Sequence, residues 1–198
     1  MRWHTPAAAY QLISVGWLRR ILGGDLPTRD VRWIPPFGTV VEVGAGAGFY
    51  TDHLARHLGD KGQLTAVDPD PGAVLKLQAR GGFEAVCARG ESLPFSSDSV
   101  DTVFYSYSLE EFDNPDAGLA EAARVLRPGG QLVLFLWRVN YLGYRKIMKS
   151  KALGDFQQVK GKWGVQNTRL VFAFTGAKTL SCHHRPATSA RAITPYDR

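Results

Sequence analysis

Val40-Val41-Glu42-Val43-Gly44-Ala45-Gly46-Ala47-Gly48 is the stretch on which the reading of this chain turns. Thr39–Val43 is a short apolar run rich in β-branched residues, and it predicts a buried strand. The run ends in alternating glycine and alanine, and a helical pattern follows through about Leu58. A loop without side-chain bulk lets the backbone approach a ligand closely and aims amide N–H groups at it. In open α/β sheets the ligand crevice lies at the carboxyl ends of the strands, where the winding reverses. The other reading of such a loop is a mere tight turn, which the strand-loop-helix context favours less.

Outward from this stretch the same alternation repeats. Gln63–Val67 reads as a second strand and Pro71–Arg80 as a helix. Phe83–Ala88 and Asp101–Tyr105 read as the third and fourth strands. Pro115–Leu126 reads as a helix with Asn114 as cap and Pro115 in its first turn. After a turn at Arg127-Pro128-Gly129-Gly130, Gln131–Trp137 reads as the fifth strand. Strands separated by helices pair in parallel through right-handed crossovers, so the fold class is a doubly wound α/β sheet. Beyond Trp137, Asn140–Leu153 reads as a basic, aromatic-containing helix. Phe156–Trp163 and Arg169–Thr175 read as two strands joined as a hairpin. From Thr179 the tail is rich in Ser, Thr, Pro, His and Arg, and poor order is expected there. Upstream, Thr5 and Pro6 open a helix that Gly23-Gly24 close. Tyr10, Ile13, Trp17, Leu18 and Ile21 form one stripe of it, which either packs over the core or forms a lid at an interface with Arg19 and Arg20 beside lipid headgroups. The expected organisation is an N-terminal helical lid segment (1–36), a ligand-binding domain (37–178) and a flexible tail (179–198).

Composition sets the bounds. The 198 residues fit one domain, and 44% hydrophobic with 21% charged residues is ordinary for a packed protein. No apolar run approaches the ~20 residues that span a bilayer, and the first residues lack the order of a signal peptide. Cys87 and Cys182 are the two cysteines, too few for a disulfide framework or a four-cysteine zinc site, so a cytoplasmic location is expected. The formal net charge of +6 is uneven: residues 138–198 carry twelve Lys/Arg against two Asp/Glu. That basic excess suits nucleic acid, an anionic membrane or an acidic small substrate, or is a merely solvated surface.

The glycines fall as G-x-G-x-G, not as the G-x-G-x-x-G of a dinucleotide fingerprint, and no lysine follows as in a phosphate-binding loop. Asp68, at the end of the second strand, can accept from both hydroxyls of a ribose, or can cap the next helix; the neighbouring Asp70 can take the capping role. The E-V-G-A-G-A-G form at 42–48 resembles motif I of class I S-adenosylmethionine (SAM)-dependent methyltransferases. Ala88-Arg89-Gly90-Glu91-Ser92-Leu93-Pro94-Phe95 resembles that family's G-D-A-E-x-L-P-F stretch. Asp101–Leu109 and Ala123-Arg124-Val125-Leu126-Arg127-Pro128-Gly129-Gly130 resemble its fourth strand and its R-V-L-K-P-G-G turn. The resemblance covers roughly residues 37–137 and is strongest to the type 11 branch that includes ubiquinone and menaquinone C-methyltransferases.

The resemblance implies a Rossmann-like, doubly wound seven-strand methyltransferase sheet with a C-terminal β-hairpin. It implies SAM as cofactor, S-adenosylhomocysteine as product, and cofactor contacts from Glu42, Gly44, Ala45, Gly46, Asp68, Pro69, Arg89, Gly90, Glu91 and Ser106. Arg89 stands where many members carry an aspartate for the adenine amino group. It either stacks its guanidinium on the ring or leaves the adenine edge to backbone groups of Gly90 and Glu91. Leu93 and Phe95 line the adenine pocket or fill the core. Tyr105, Tyr107, Glu110 and Glu111 follow the fourth strand, and Glu110 and Tyr107 are the catalytic candidates, with a carboxylate as general base. The structural alternative is a capping box of Ser108 with Glu111. His53 and His57 read as surface residues, and Cys182-His183-His184 is only a weak metal signature, so no metal is expected.

The function implied is methyl transfer to a small, hydrophobic, lipid- or quinone-like molecule or a natural-product intermediate. The alternatives are a nucleic-acid methyltransferase, an inactive SAM-binding protein, or an NAD(P)-dependent oxidoreductase, against which the glycine spacing counts. The basic, aromatic segment at Asn140–Leu153 and the N-terminal stripe suit peripheral contact with an anionic membrane. Nucleic acid is the less favoured partner, because no groove of spaced stacking aromatics is evident. The oligomeric state is not readable.

Overall fold

Parallel strands need long crossovers, and three of the four returns here carry a helix. The computed structural model describes residues 27–137, 141–163 and 169–176. Strands β1 (Gly38–Val43), β2 (Gly62–Asp68), β3 (Glu84–Cys87), β4 (Val100–Ser106) and β5 (Leu126–Trp137) pair in parallel in the order β3-β2-β1-β4-β5. The chain winds outward from β1 to β3, then returns to the other side of β1 as β4. The winding therefore reverses between β1 and β4, beside the glycine loop. Strands β6 (Phe156–Trp163) and β7 (Arg169–Gly176) extend the sheet past β5 in the order β5-β7-β6, with β7 antiparallel to both neighbours. The helices are α1 (Pro27–Asp30), α2 (Thr51–Leu58), α3 (Pro71–Gln78), α4 (Pro115–Val125) and α5 (Tyr141–Met148). This is a Rossmann-like α/β arrangement.

The two-residue period of the strands divides the core between the two faces. Val41 and Val43 of β1, Val103 and Tyr105 of β4, and Leu132 and Leu134 of β5 pack with Leu119, Ala122 and Val125 of α4. Val40, Phe104 and Val133 face the other way, onto Leu54 and Leu58 of α2 and onto Val31 and Ile34. On that second face Tyr50, Phe104 and Phe135 meet edge to face, with ring centroids 4.9–5.7 Å apart. Val31 and Ile34 were assigned to the lid segment from sequence, yet they are 3% and 1% exposed and belong to this core.

Three boundaries differ from the sequence reading by more than one residue. The Arg127–Gly130 stretch does not precede β5 as a separate turn: β5 begins at Leu126, opposite Val100, and its register slips before Gln131 meets Thr102. Pro128 has no N–H to give the ladder, and Gly129 sits at φ +79°, so the segment bulges out while the strand continues. Helix α3 stops at Gln78 rather than Arg80, because Gly81 and Gly82 turn the chain left-handed at φ +71° and +80°. The helix expected over Asn140–Leu153 ends at Met148. A 3₁₀ turn at Lys151–Asp155 follows, capped by Ser150, whose side chain accepts from the Ala152 N–H at 3.2 Å. The N-terminal stripe through Ile21, the tail from Thr179 and Cys182-His183-His184 lie outside the described residues.

Candidate functional site at the carboxyl edge of the sheet

The carboxyl ends of β1, β2, β3 and β4 bring the expected cofactor residues to one edge, tied together by hydrogen bonds between their loops. Gly44, Gly46 and Gly48 sit at φ +75°, +53° and +77°, a conformation that favours glycine. The Gly44 and Ala45 N–H groups both donate to the Val67 carbonyl, at 2.7 and 3.1 Å, which folds the loop over the end of β2. Asp68, 8% exposed, closes the arrangement. Its Oδ2 accepts from the Gly46 N–H at 2.7 Å and its Oδ1 from the Asp70 N–H at 3.0 Å. Each carboxylate oxygen has two acceptor positions, so one on each remains for a ligand. Helix α3 is capped by Asp70, whose carboxylate accepts from the Gly72 N–H at 2.9 Å; Asp68 does not cap it. Pro69 is exposed between the two.

Glu42 has the strand parity of Val40 and so faces α2. It is fully buried, accepting from the Thr51 hydroxyl at 2.6 Å, with the Ser106 hydroxyl 3.5 Å away. It thus props the start of α2 from beneath the loop. Ser108 does not form the capping box read from the sequence. Its hydroxyl donates to the Val43 carbonyl at 2.5 Å, and its side chain fills the space that a Cβ on Gly44 would need. A hydroxyl has one proton to give, and the β1 carbonyl takes it.

The loop after β3 docks against the same edge through the Ala88 N–H, which donates to the Asp68 carbonyl at 3.2 Å. Gly90 is buried, and a Cβ there would strike the Phe112 ring and come 2.8 Å from Val43. Arg89 is exposed, with its guanidinium between Glu91 at 3.1 Å and Asp113 at 3.2 Å. The bond to Asp113, then that to Glu91, hold it above the ordinary arginine range. Leu93 is 5% exposed and packs in the core, with Phe95 beside it. Sequence reasoning missed what holds this loop. Arg124 on α4 donates to the carbonyls of Phe95 and Leu93 at 2.8 and 3.0 Å and pairs with Glu121 at 2.8 Å. Glu121 in turn accepts from the Leu93 N–H at 2.9 Å. The nearest local signal is the i, i+3 spacing of Glu121 and Arg124, which says nothing of the loop they hold.

After β4, Tyr107 adopts φ +60°, uncommon for a residue with a side chain. Its N–H donates to the Phe135 carbonyl at 2.9 Å, and its ring packs on Tyr50 and Phe135. Glu110 lies half-buried in the 3₁₀ turn Leu109–Glu111. Tyr105 is buried and donates to the Gly118 carbonyl at 2.9 Å; burial, with Glu121 and Glu91 nearby, pushes its phenol well above the usual range. His57 corrects another expectation: it is half-buried, its Nε2 2.9 Å from the Ile34 carbonyl, and ties α2 to the segment after α1. Concavities of about 260 and 430 Å³ lie at the amino ends of β1 and β2 and between α3 and β3.

The donor set fits SAM: an acid with a spare acceptor position on each oxygen stands beside a loop whose backbone lies open to close approach. Residues 41–134 match the model of a methyltransferase domain family. A malonyl-[acyl-carrier protein] O-methyltransferase of Hahella chejuensis (strain KCTC 2396) is 33% identical over 130 residues, covering 64% of this chain and 45% of the relative. A ubiquinone/menaquinone biosynthesis C-methyltransferase of Shewanella pealeana (strain ATCC 700345 / ANG-SQ1) is 31% identical over 142 residues, covering 66% of this chain and 55% of the relative. The chain thus spans about half the length of these curated relatives. The crystal structure of a SAM-dependent methyltransferase from Aquifex aeolicus superposes with a TM-score of 0.71 at 20% identity, over 87% of this chain and 99% of that one, and shares the fold. Residues 41–134 are thus a methyltransferase domain, similar in sequence to these methyltransferases and in fold to the SAM-dependent one.

Proposed function

We propose that this protein transfers a methyl group from SAM to a small, hydrophobic acceptor, lipid- or quinone-like or a natural-product intermediate. The observation that carries the reading is the Asp68 carboxylate, buried to 8% exposure and fixed by two backbone N–H groups, with an acceptor position left on each oxygen. Asp68 takes the ribose hydroxyls, while the loop at Gly44, Ala45 and Gly46 takes the methionine part. Pro69 and backbone groups of Gly90 and Glu91 would hold the adenine. Arg89, engaged by Glu91 and Asp113, flanks this subsite rather than stacking within it. Glu42 and Ser106 act from beneath, through Thr51 and β1.

When bound, SAM would supply a sulfonium methyl carbon: the acceptor's electron pair would form the new bond, and the carbon–sulfur bonding pair would stay on sulfur in S-adenosylhomocysteine. The protein's part is to align the acceptor and exclude water. Glu110, in the turn after β4, would take the proton that a hydroxyl or carbon acceptor gives up. Tyr107 shapes the same wall, held in its left-handed conformation by the Phe135 carbonyl and the aromatic cluster. Strands β6 and β7 extend the sheet beyond β5. The acceptor class rests on the two relatives, one named a ubiquinone/menaquinone biosynthesis C-methyltransferase and one a malonyl-[acyl-carrier protein] O-methyltransferase. Exposed Arg145, Lys146, Lys149 and Lys151 suit a peripheral anionic surface close to such an acceptor. Among the described residues no helix is long and apolar enough to cross a membrane.

The test is transfer of label from SAM to a panel of quinols, phenols, malonyl acyl-carrier protein and RNA. Transfer to a quinol or to the malonyl carboxylate supports the proposal, and transfer to RNA alone replaces the acceptor class. Tight S-adenosylhomocysteine binding with no transfer at all marks an inactive SAM-binding protein. Binding of NAD without SAM removes the reading altogether.

A further inference from the structure

We propose that Arg80 is a positioning residue for the glycine loop, and that Gly48 is glycine to make room for it rather than for a ligand. The proposal rests on the methyl-donor reading above. Arg80 follows the end of α3, where Gly81 and Gly82 turn the chain away. Its side chain returns across the back of the loop after β1. Nη2 donates to the Ala47 carbonyl at 2.7 Å, and Nη1 reaches the Gly48 carbonyl at 3.4 Å and the Asp52 carboxylate at 3.1 Å.

Asp52, in the first turn of α2, balances the charge and orients the guanidinium, so one cation joins α3, the loop and α2. The Gly48 N–H donates to the Ala45 carbonyl at 2.9 Å. The peptide between Ala47 and Gly48 is planar, so its carbonyl and its N–H point to opposite sides. Both are held, one by Arg80 and one by the loop itself.

A Cβ on Gly48 would collide with Arg80 Nη1 and come 2.7 Å from Leu77 Cδ2. The third glycine of the motif therefore has an internal occupant. The Arg80–Asp52 pair is partly exposed and worth little by itself. What matters is the planar fork of donors, which serves two carbonyls and a carboxylate together. A lysine presents a single point of charge and cannot do the same.

S-adenosylhomocysteine calorimetry and hydrogen exchange on the free protein test this together. Arg80→Ala should weaken S-adenosylhomocysteine binding about tenfold, the scale of one lost hydrogen bond to a charged group. Arg80→Lys should fall between the two. Amides in residues 44–50 should exchange faster in Arg80→Ala without ligand, while those of β4 and β5 stay protected and the unfolding midpoint moves little. Wild-type affinity and wild-type loop exchange in Arg80→Ala would overturn the proposal. So would an affinity loss in Arg80→Ala and Arg80→Lys that only tracks a fall in the unfolding midpoint, which marks a general scaffold residue. If the unmutated protein binds no S-adenosylhomocysteine, the methyl-donor reading fails, and the exchange of residues 44–50 still decides whether Arg80 holds the loop.

Discussion

Replacing Asp68 by asparagine probes the ligand role and the structural role of the site at once. The carboxylate accepts from the Gly46 N–H at 2.7 Å and the Asp70 N–H at 3.0 Å, one on each oxygen. An asparagine keeps one oxygen. Whichever way its amide turns, an NH₂ group then faces a backbone N–H, and one donor loses its partner at a site only 8% exposed. A hydrogen bond to a charged group is worth about 1.5–3 kcal/mol, so the free protein should lose about that much stability. The same change removes an acceptor from one ribose hydroxyl, which should weaken S-adenosylhomocysteine binding by about ten- to a hundredfold on the same scale. Urea denaturation without ligand reads the first effect, and calorimetry reads the second. Lost stability with unchanged affinity would leave Asp68 as a strut between two loops and take it out of the ribose subsite. An asparagine variant that unfolds and binds like the unmutated protein would refute both parts of the argument.

Two further outcomes follow from the geometry of the same edge. Gly44→Ala forces a side chain into φ +75° and into the space of Ser108, so it should cost about 1–2 kcal/mol for the backbone and about 1 kcal/mol for the displaced Ser108–Val43 bond. Urea denaturation checks it; a Gly44→Ala variant of undiminished stability would contradict the close approach. Arg124, helped by the Leu93 N–H, holds Glu121 below its ordinary value of 4.5 against the opposing effect of burial. A carboxylate lowered in the folded state stabilises fully above its unfolded value and loses that contribution as pH falls through the folded one. The stability gap between the unmutated protein and Glu121→Gln should thus stay constant from about pH 6 to 8 and shrink below about pH 4.5; a gap that persists undiminished at pH 3 contradicts the link.

What could be read from the sequence was the part fixed by neighbours along the chain. The apolar run into Gly44, and the caps at Asp70 and Asn114, need only residues two or three positions away, and both caps form. Ser108 shows where such reading stops. Its local partner is Glu111, but its hydroxyl bonds to Val43, 65 residues away, because the crossover sets β4 beside β1. Glu42 carries a clue that a continuous apolar strand hides. Its side chain shares the face of Val40, so it meets Thr51 of α2 rather than the open side of the loop. Arg89 finds Glu91 nearby in sequence but Asp113 only through the fold. His57 was read as a surface residue because no spacing reveals the Ile34 carbonyl that meets it.

The residues that escaped the motif share one task, and the reason lies in the motif itself. Fixing the backbone of one residue costs about 1–2 kcal/mol, and glycine loses more freedom than any other residue. A loop of about five residues containing three glycines would therefore charge binding with several kcal/mol if a ligand had to order it. Here the loop is ordered beforehand from three sides: Asp68 holds the Gly46 N–H, Ser108 holds the Val43 carbonyl beneath Gly44, and Arg80 holds the carbonyls of Ala47 and Gly48. Each tie comes from a different element, β2, the turn after β4 and the end of α3. The glycines supply the shape and the close approach, but a glycine loop alone is too free to keep that shape. The site's affinity for its ligand thus depends on side chains that contribute their bonds before the ligand arrives.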